Sequence, residues 1–298
     1  MRSEVTLLGA SEIRQIAAEL SLTPSKGLGQ NFVHDSNICE KIVRLAGIEE
    51  GDLVLEVGPG LGSLSLSILK SGAELLAVEI DRRLAERLPT TLLAHGAPKD
   101  SFSVINEDAL TIKKEIIASH INPNQRLKIV ANLPYNVSVP VILHLLEMEI
   151  FTSAMVMVQS EVATRLAAKP GSKDYGVPSA KVAWYAKAQL SDDVPRAVFW
   201  PVPRVDSSLL SLTLHPPLAS EELRKLTFKI IDLAFNQRRK MLRSALSRLI
   251  EGEGSIEELL ARAGIDPTSR AESIGIEGFL ALAREISDRN SREKRSIR

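Results

Sequence analysis

Leu53-Val54-Leu55-Glu56-Val57-Gly58-Pro59-Gly60-Leu61-Gly62-Ser63 decides the fold. An apolar run of buried-strand type passes into a turn with glycine at every second position, and Leu64 to Leu69 continues with helical spacing. Strand, glycine turn and helix in that order open a doubly wound α/β sheet, where the turn's backbone can approach a ligand closely. A nicotinamide fingerprint wants its third glycine about five residues after the first. Here Gly62 follows Gly58 by four and position 63 is serine. The Gly-Lys-Ser/Thr ending of a P-loop is missing as well. The turn points to a relative of the dinucleotide-binding fold whose adenosine-containing ligand has no pyrophosphate to seat.

Further strand runs follow at Leu75–Glu79, Phe102–Ile105, Leu127–Val130 and Met155–Val158, with helical segments between them. That alternation predicts a parallel sheet covered on both faces, with every strand's carboxyl end on one edge. Glu79, 21 residues beyond Gly58, ends the second strand. A carboxylate there suits the two ribose hydroxyls; the plain alternative is a solvated strand-end acid beside Asp81. Asp108, just past the third strand, suits an adenine amine, or is a cap. Glycine turn, Glu and Asp at three successive strand ends are seldom accidental.

The fourth strand leads into Ala131-Asn132-Leu133-Pro134-Tyr135-Asn136. An amide, a proline-stiffened turn and an aromatic ring together suit gripping a planar base by its exocyclic amine. The alternative is an ordinary turn with a half-buried tyrosine.

At 298 residues two domains are expected. Hydrophobic content of 44% and charged content of 25% are those of a globular protein, and zero net charge leaves nucleic-acid affinity to uneven placement of charge. The single cysteine, Cys39, excludes an intramolecular disulfide and fits a reducing cytosol. Met1 to Leu20 carries too many charges for a signal peptide. Pro140, His144, Glu147 and Glu149 interrupt the most apolar stretch, so no membrane span is expected. The histidines at 34, 95, 120, 144 and 215 show no ligand spacing, and no metal is expected.

Elsewhere, a helix is predicted over Ser11–Leu20, and another from an Asp35 cap through Leu45, stopped by Gly47. Lys26-Gly27-Leu28-Gly29-Gln30-Asn31-Phe32 is either a surface connection or a glycine-rich flap over a ligand. Val182–Leu190 and Ser208–Leu214 are expected to pair antiparallel and close the sheet. Between them Pro201 and Pro203 favour an extended path. His215-Pro216-Pro217 reads as a linker between domains 1–215 and 216–298. Helices are expected over Glu221–Ile250, Ser255–Ala263 and Gly278–Ser287, with a disordered charged tail from Arg289. Asn236 to Arg248 holds Arg238, Arg239, Lys240, Arg243 and Arg248 and no acid. Such a run suits phosphate gripping, or is a solvated helix face.

In this order, glycine turn, strand-end acids and Asn132-Leu133-Pro134-Tyr135 resemble class I S-adenosylmethionine-dependent methyltransferases that act on an amino group. Lys26–Phe32, Phe199-x-Pro201-x-Pro203-x-Val205-Asp206-Ser207 and Asn236–Arg243 narrow the resemblance to the ribosomal RNA adenine N6-dimethyltransferases. The branch is the one that dimethylates two adjacent adenosines near the 3′ end of small-subunit rRNA. The likeness runs from about Leu28 to Leu246. It implies a Rossmann-like, mostly parallel sheet with an antiparallel edge strand, and a small C-terminal all-α domain. It also implies S-adenosylmethionine as methyl donor and S-adenosylhomocysteine as product, with no metal. Asn31, Val33, Gly58, Gly60, Glu79, Asp108 and Asn132 would surround the cofactor. Asn132, Leu133, Pro134 and Tyr135 would surround the target adenine, with Phe199 on its other face. The implied partner is the rRNA of the immature 30S subunit, met by a cytoplasmic monomer with no membrane partner. Val33 stands where the family more usually has leucine, and Trp200 occupies a variable position.

Adenine's exocyclic nitrogen is a poor nucleophile because its lone pair is delocalised. Acceptors at the Asn132 carbonyl and at the Leu133 or Pro134 backbone would favour a pyramidal nitrogen and stabilise its growing positive charge. The base must leave its stack to reach them. Three alternatives stand beside this reading: a large-subunit enzyme of the macrolide-resistance type, an assembly factor without turnover, and, more distantly, a nicotinamide oxidoreductase.

Overall fold

The computed structural model describes residues 4–22, 31–249 and 255–296. Lys26 to Gln30 of the glycine-rich turn, and the side chain of Arg248, lie outside the described residues. Two compact units divide the chain: Met1–Ala163 with Ala188–Leu214, and Thr164–Lys187 with His215–Arg298.

The first unit opens with α1 (Ala10–Glu19), which buries Ile13, Ile16 and Ala17, and the two-residue strand β1 (Phe32–Val33). Asp35 caps α2 (Ser36–Leu45) by accepting from the Asn37 N–H, and Gly47 follows with φ +60°. Then come β2 (Leu53–Val57), α3 (Ser63–Lys70), β3 (Glu74–Glu79), α4 (Arg82–Ala94), β4 (Phe102–Asn106), α5 (Lys114–Ala118), β5 (Leu127–Asn132), α6 (Ser138–Met148), β6 (Ser153–Gln159) and α7 (Ser160–Leu166). After α8 (Val177–Val182) the chain returns to the sheet through β7 (Ala186–Val194), β8 (Phe199–Trp200) and β9 (Ser207–Leu214).

Seven strands lie in the order β4-β3-β2-β5-β6-β9-β7. The first five are parallel, in register at Leu55 with Leu76 and Ile129, and β9 runs antiparallel to β6. All five residues of β2 are buried, as a strand covered on both faces requires. Its neighbour α3 buries six consecutive residues, Leu64 to Leu69. β1 and β8 form a separate antiparallel ribbon.

The strand expected over Val182–Leu190 is displaced: Val182 ends α8, and the strand begins at Ala186 and runs on to Val194. Its polar sequence lacks the alternation that would have marked its bounds.

In the second unit α8 packs with α9 (Glu221–Asn236), α10 (Leu242–Ala245), α11 (Ile256–Arg262) and α12 (Ile276–Ser296). Residues 164–187, expected within the first domain, belong here because their aromatic rings do. Phe228 of α9 meets Trp184 and Tyr185 edge-on at 5.9 Å, with Lys181 and Arg224 over its ring. Tyr175 donates to the Ile274 carbonyl at 3.0 Å.

The expected helix Glu221–Ile250 breaks after Asn236. Arg238 there turns to the Glu272 carboxylate and the Lys173 carbonyl, both at 2.8 Å, and Leu242 N–H donates to Ser269. The tail expected to be disordered from Arg289 instead continues α12 to Ser296. Phe279, Leu282 and Ala283 anchor that helix in the core, and adding residues to a formed helix costs far less than nucleating one.

Candidate active site

β2 and β5 are sheet neighbours although β3 and β4 intervene in sequence, so the winding reverses between them. Ligands of open α/β sheets sit beyond the carboxyl ends at such a point. A cavity of about 240 Å³ opens there.

Its floor is the glycine turn. Gly58, Gly60 and Gly62 have φ of +70°, +58° and +100°, the left-handed region that side chains with a Cβ avoid. A Cβ on Gly60 would stand 2.9 Å from the Phe32 ring, and one on Gly62 would stand 3.0 Å from Leu88. At Gly60 and Gly62 the neighbours therefore leave no room for a side chain, while at Gly58 the positive φ alone calls for glycine.

Glu79 closes one wall. Its carboxylate accepts from the Gly60 N–H at 3.1 Å and from the Asp81 N–H at 2.9 Å. Burial raises its pKa, while those two backbone donors oppose the rise. Each oxygen keeps capacity for a further donor, as a pair of ribose hydroxyls would need. Asp108 lines the same cavity and accepts from Leu110 N–H at 2.8 Å. Beneath them lies Glu56, 1% exposed, whose Oε2 accepts from Ser65 Oγ at 2.5 Å. Burial pushes its carboxyl up to about 8; Ser65 opposes the shift and the nearby Glu79 adds to it.

The other wall is the turn after β5. Asn132 Nδ2 donates to the Asn31 carbonyl at 3.0 Å. Because a carbonyl only accepts, this bond fixes which way round the amide sits, and Oδ1 is left as its acceptor. The Pro134 carbonyl closes the turn by accepting from Val137 N–H at 3.2 Å. The Tyr135 hydroxyl bonds the Ser207 hydroxyl at 2.6 Å, which ties the ring to the start of β9; burial raises its pKa.

Asn31, Val33, Gly58, Gly60, Glu79, Asp108, Asn132, Leu133, Pro134 and Tyr135 all line this one cavity. Phe199 does not. Its ring is 1% exposed, within the hydrophobic core. In the β1–β8 ribbon Phe199 pairs with Val33 and Trp200 with Phe32, and successive residues of a strand point to opposite faces. A base cannot stack on Phe199 in this arrangement. Arg238, Arg239, Lys240 and Arg243 are exposed on the second unit, where Arg238 already pairs with Glu272.

Sequence reading missed Ser207 as a partner of Tyr135, although it closes the Phe199–Ser207 motif. It also missed Ile80, an apolar cavity-lining residue left 52% exposed immediately after Glu79. A large apolar residue directly after a strand-end acid was the available signal.

The left-handed glycine turn, the buried acid and the cavity between β2 and β5 fit an adenosine-type cofactor. The fold is that of a Rossmann-like class I methyltransferase. Among solved structures, a dimethyladenosine transferase from Plasmodium falciparum has a TM-score of 0.73 at 22% identity, covering 87% of this chain and 98% of that one. The 23S rRNA methyltransferase ErmE has a TM-score of 0.62 at 24% identity, over 86% and 100%. Both likenesses are of fold. Residues 23–288 match the model of the family described as ribosomal RNA adenine dimethylase. The ribosomal RNA small subunit methyltransferase A of Leifsonia xyli subsp. xyli is 48% identical over 94% of this chain and 99% of its own length. That of Cutibacterium acnes is 49% identical over 92% of each. The chain belongs to the ribosomal RNA adenine dimethylase family and is an S-adenosylmethionine-dependent rRNA methyltransferase.

Proposed function

We propose that this protein dimethylates N6 of two adjacent adenosines near the 3′ end of small-subunit rRNA, acting as a cytoplasmic monomer on the immature 30S subunit. Among the described residues, no helix is long and apolar enough to cross a membrane. The small-subunit choice is supported by relatives of that name at 48% and 49% identity, against 24% for the large-subunit ErmE.

When bound, S-adenosylmethionine supplies an electrophilic methyl on a sulfonium. Glu79 would hold its ribose hydroxyls and Asp108 its adenine amine, with Asn31, Val33, Gly58 and Gly60 against the remainder. The observation that carries the reading is the Asn132 amide, oriented by the Asn31 carbonyl so that Oδ1 is its acceptor. Oδ1 and the Leu133 carbonyl would accept from the target amine and stabilise the positive charge that grows on it. Pro134 stiffens the turn, and Tyr135, tethered by Ser207, offers its ring to the extruded base. Arg239, Lys240 and Arg243, with Arg238 and Arg248, would meet phosphates, positioning the RNA without reading its sequence.

The test is methyl transfer to isolated small subunits, with modified adenosines mapped by mass. Asn132→Ala is expected to lose about 100-fold or more in transfer while RNA binding persists. Transfer to large-subunit RNA alone, or a fully active Asn132→Ala, would overturn the assignment.

A further inference from the structure

The segment from Phe199 to Ser207 is fastened to the cavity at both ends. Trp200 stacks on Phe32, a cavity-lining residue, with ring centroids 6.3 Å apart and planes inclined by 25°. Ser207 bonds the hydroxyl of Tyr135 at 2.6 Å. Between these points Val202 is 61% and Val205 45% exposed, Trp200 is partly exposed, and Arg204 faces solvent. Arg196 stands alongside, donating to the Arg204 carbonyl at 3.3 Å and pairing with Asp206 at 3.7 Å.

Isolated exposed apolar residues need no explanation. Here three apolar residues and the Arg204 guanidinium, with the Arg196–Asp206 pair beside them, share one short strip joined to the cavity rim. An unpaired nucleotide presents a bare base face and an anionic phosphate, which apolar surface and a cation meet. Extruding the target adenosine also strips its neighbour of a stacking partner.

We propose that Trp200, with Val202, Val205 and Arg204, forms a platform for the unpaired nucleotide adjoining the target adenosine. The indole takes over the stacking that the neighbour loses, and Arg204 meets the phosphate between them. This inference rests on the extruded-adenine reading above. It gives Trp200 the RNA-stacking part that Phe199, buried in the core, does not play.

The chain has two tryptophans, and the other, Trp184, is 1% exposed in the second unit. In a Trp184→Phe protein, tryptophan emission therefore comes from Trp200 alone. Titration with a short unpaired adenine-containing oligoribonucleotide is expected to quench it, less so at high salt. Trp200→Leu keeps an apolar side chain on Phe32 but cannot stack. It is expected to raise KM for small-subunit RNA on the order of tenfold, with cofactor affinity unchanged and Trp200→Phe close to wild type. Absence of quenching in an active Trp184→Phe protein, or a wild-type KM in Trp200→Leu, overturns the platform. Quenching by an acidic protein in place of RNA would assign the strip to a protein partner and also overturn it. Asn132→Ala separates the two readings: lost transfer with Trp200 still quenched supports both. Retained transfer defeats the extruded-adenine reading whatever Trp200 reports.

Discussion

Replacing Gly60 by alanine should damage the protein more than the same change at Gly58, and Phe32 is the reason. Both glycines have positive φ, +70° at Gly58 and +58° at Gly60, so an added Cβ costs about 1–2 kcal/mol of backbone strain at either place. At Gly58 that Cβ finds its nearest neighbours, the Asn132 carbonyl and Pro134 Cδ, at an ordinary 3.9 Å. At Gly60 it would stand 2.9 and 3.0 Å from two ring atoms of Phe32, a buried side chain that is itself stacked on Trp200. Forcing an atom into packed surroundings adds about 1–3 kcal/mol. Gly60→Ala should therefore lose about 2–5 kcal/mol in urea unfolding without ligand, and Gly58→Ala about 1–2 kcal/mol. Phe32→Leu removes the obstructing ring edge. In a double-mutant cycle Gly60→Ala and Phe32→Leu should then couple favourably by about 1–2 kcal/mol, whereas Gly58→Ala and Phe32→Leu should add. Equal losses at the two glycines, or strict additivity of Gly60→Ala with Phe32→Leu, would refute the steric account.

Two further outcomes follow from the buried polar groups. The Glu56 carboxyl stays protonated in the fold up to about pH 8, whereas its usual pKa is 4.5, so the native state holds a proton that the unfolded chain has lost. Its contribution to stability is full below pH 4.5 and falls by about 1.4 kcal/mol per pH unit as pH rises toward 8. Glu56→Gln should flatten that slope in chemical unfolding measured at several pH values, and an unchanged slope would show that Glu56 is ionised in the fold. Ser207→Ala leaves the Tyr135 hydroxyl without its 2.6 Å partner, loosening the ring by about 1 kcal/mol. A several-fold fall in kcat is expected, with cofactor affinity unchanged. The double variant with Tyr135→Phe should be no worse than Tyr135→Phe alone; additive losses would mean that Ser207 acts elsewhere.

Legibility followed how locally each feature is determined. β2 and β3 are dense apolar runs broken in β2 only by the buried Glu56 and bounded in β3 by Glu74 and Glu79, and the left-handed turn between β2 and α3 is written in its glycines. That the residues at the strand ends meet at one cavity could be read for the same reason: topology alone brings those ends together. What escaped the sequence depends on distant partners. The break after Asn236 is set by bonds from Arg238 to Glu272 and Lys173, which no local propensity encodes. Residues 164–187 join the second unit through Trp184 and Tyr185, which meet the sequence-distant ring of Phe228. Phe199 and Trp200 are adjacent aromatics, and only the pairing register with β1 decides which of them turns inward.

The bond from Asn132 to position 31 ends on a main-chain oxygen, so no exchange of the Asn31 side chain can remove it. Evolution can rewrite the letter at 31 without disturbing how the neighbouring amide is aimed, but it cannot as freely lengthen or shorten the chain on either side. Insertions and deletions there, more than substitutions, are what this architecture has to guard against.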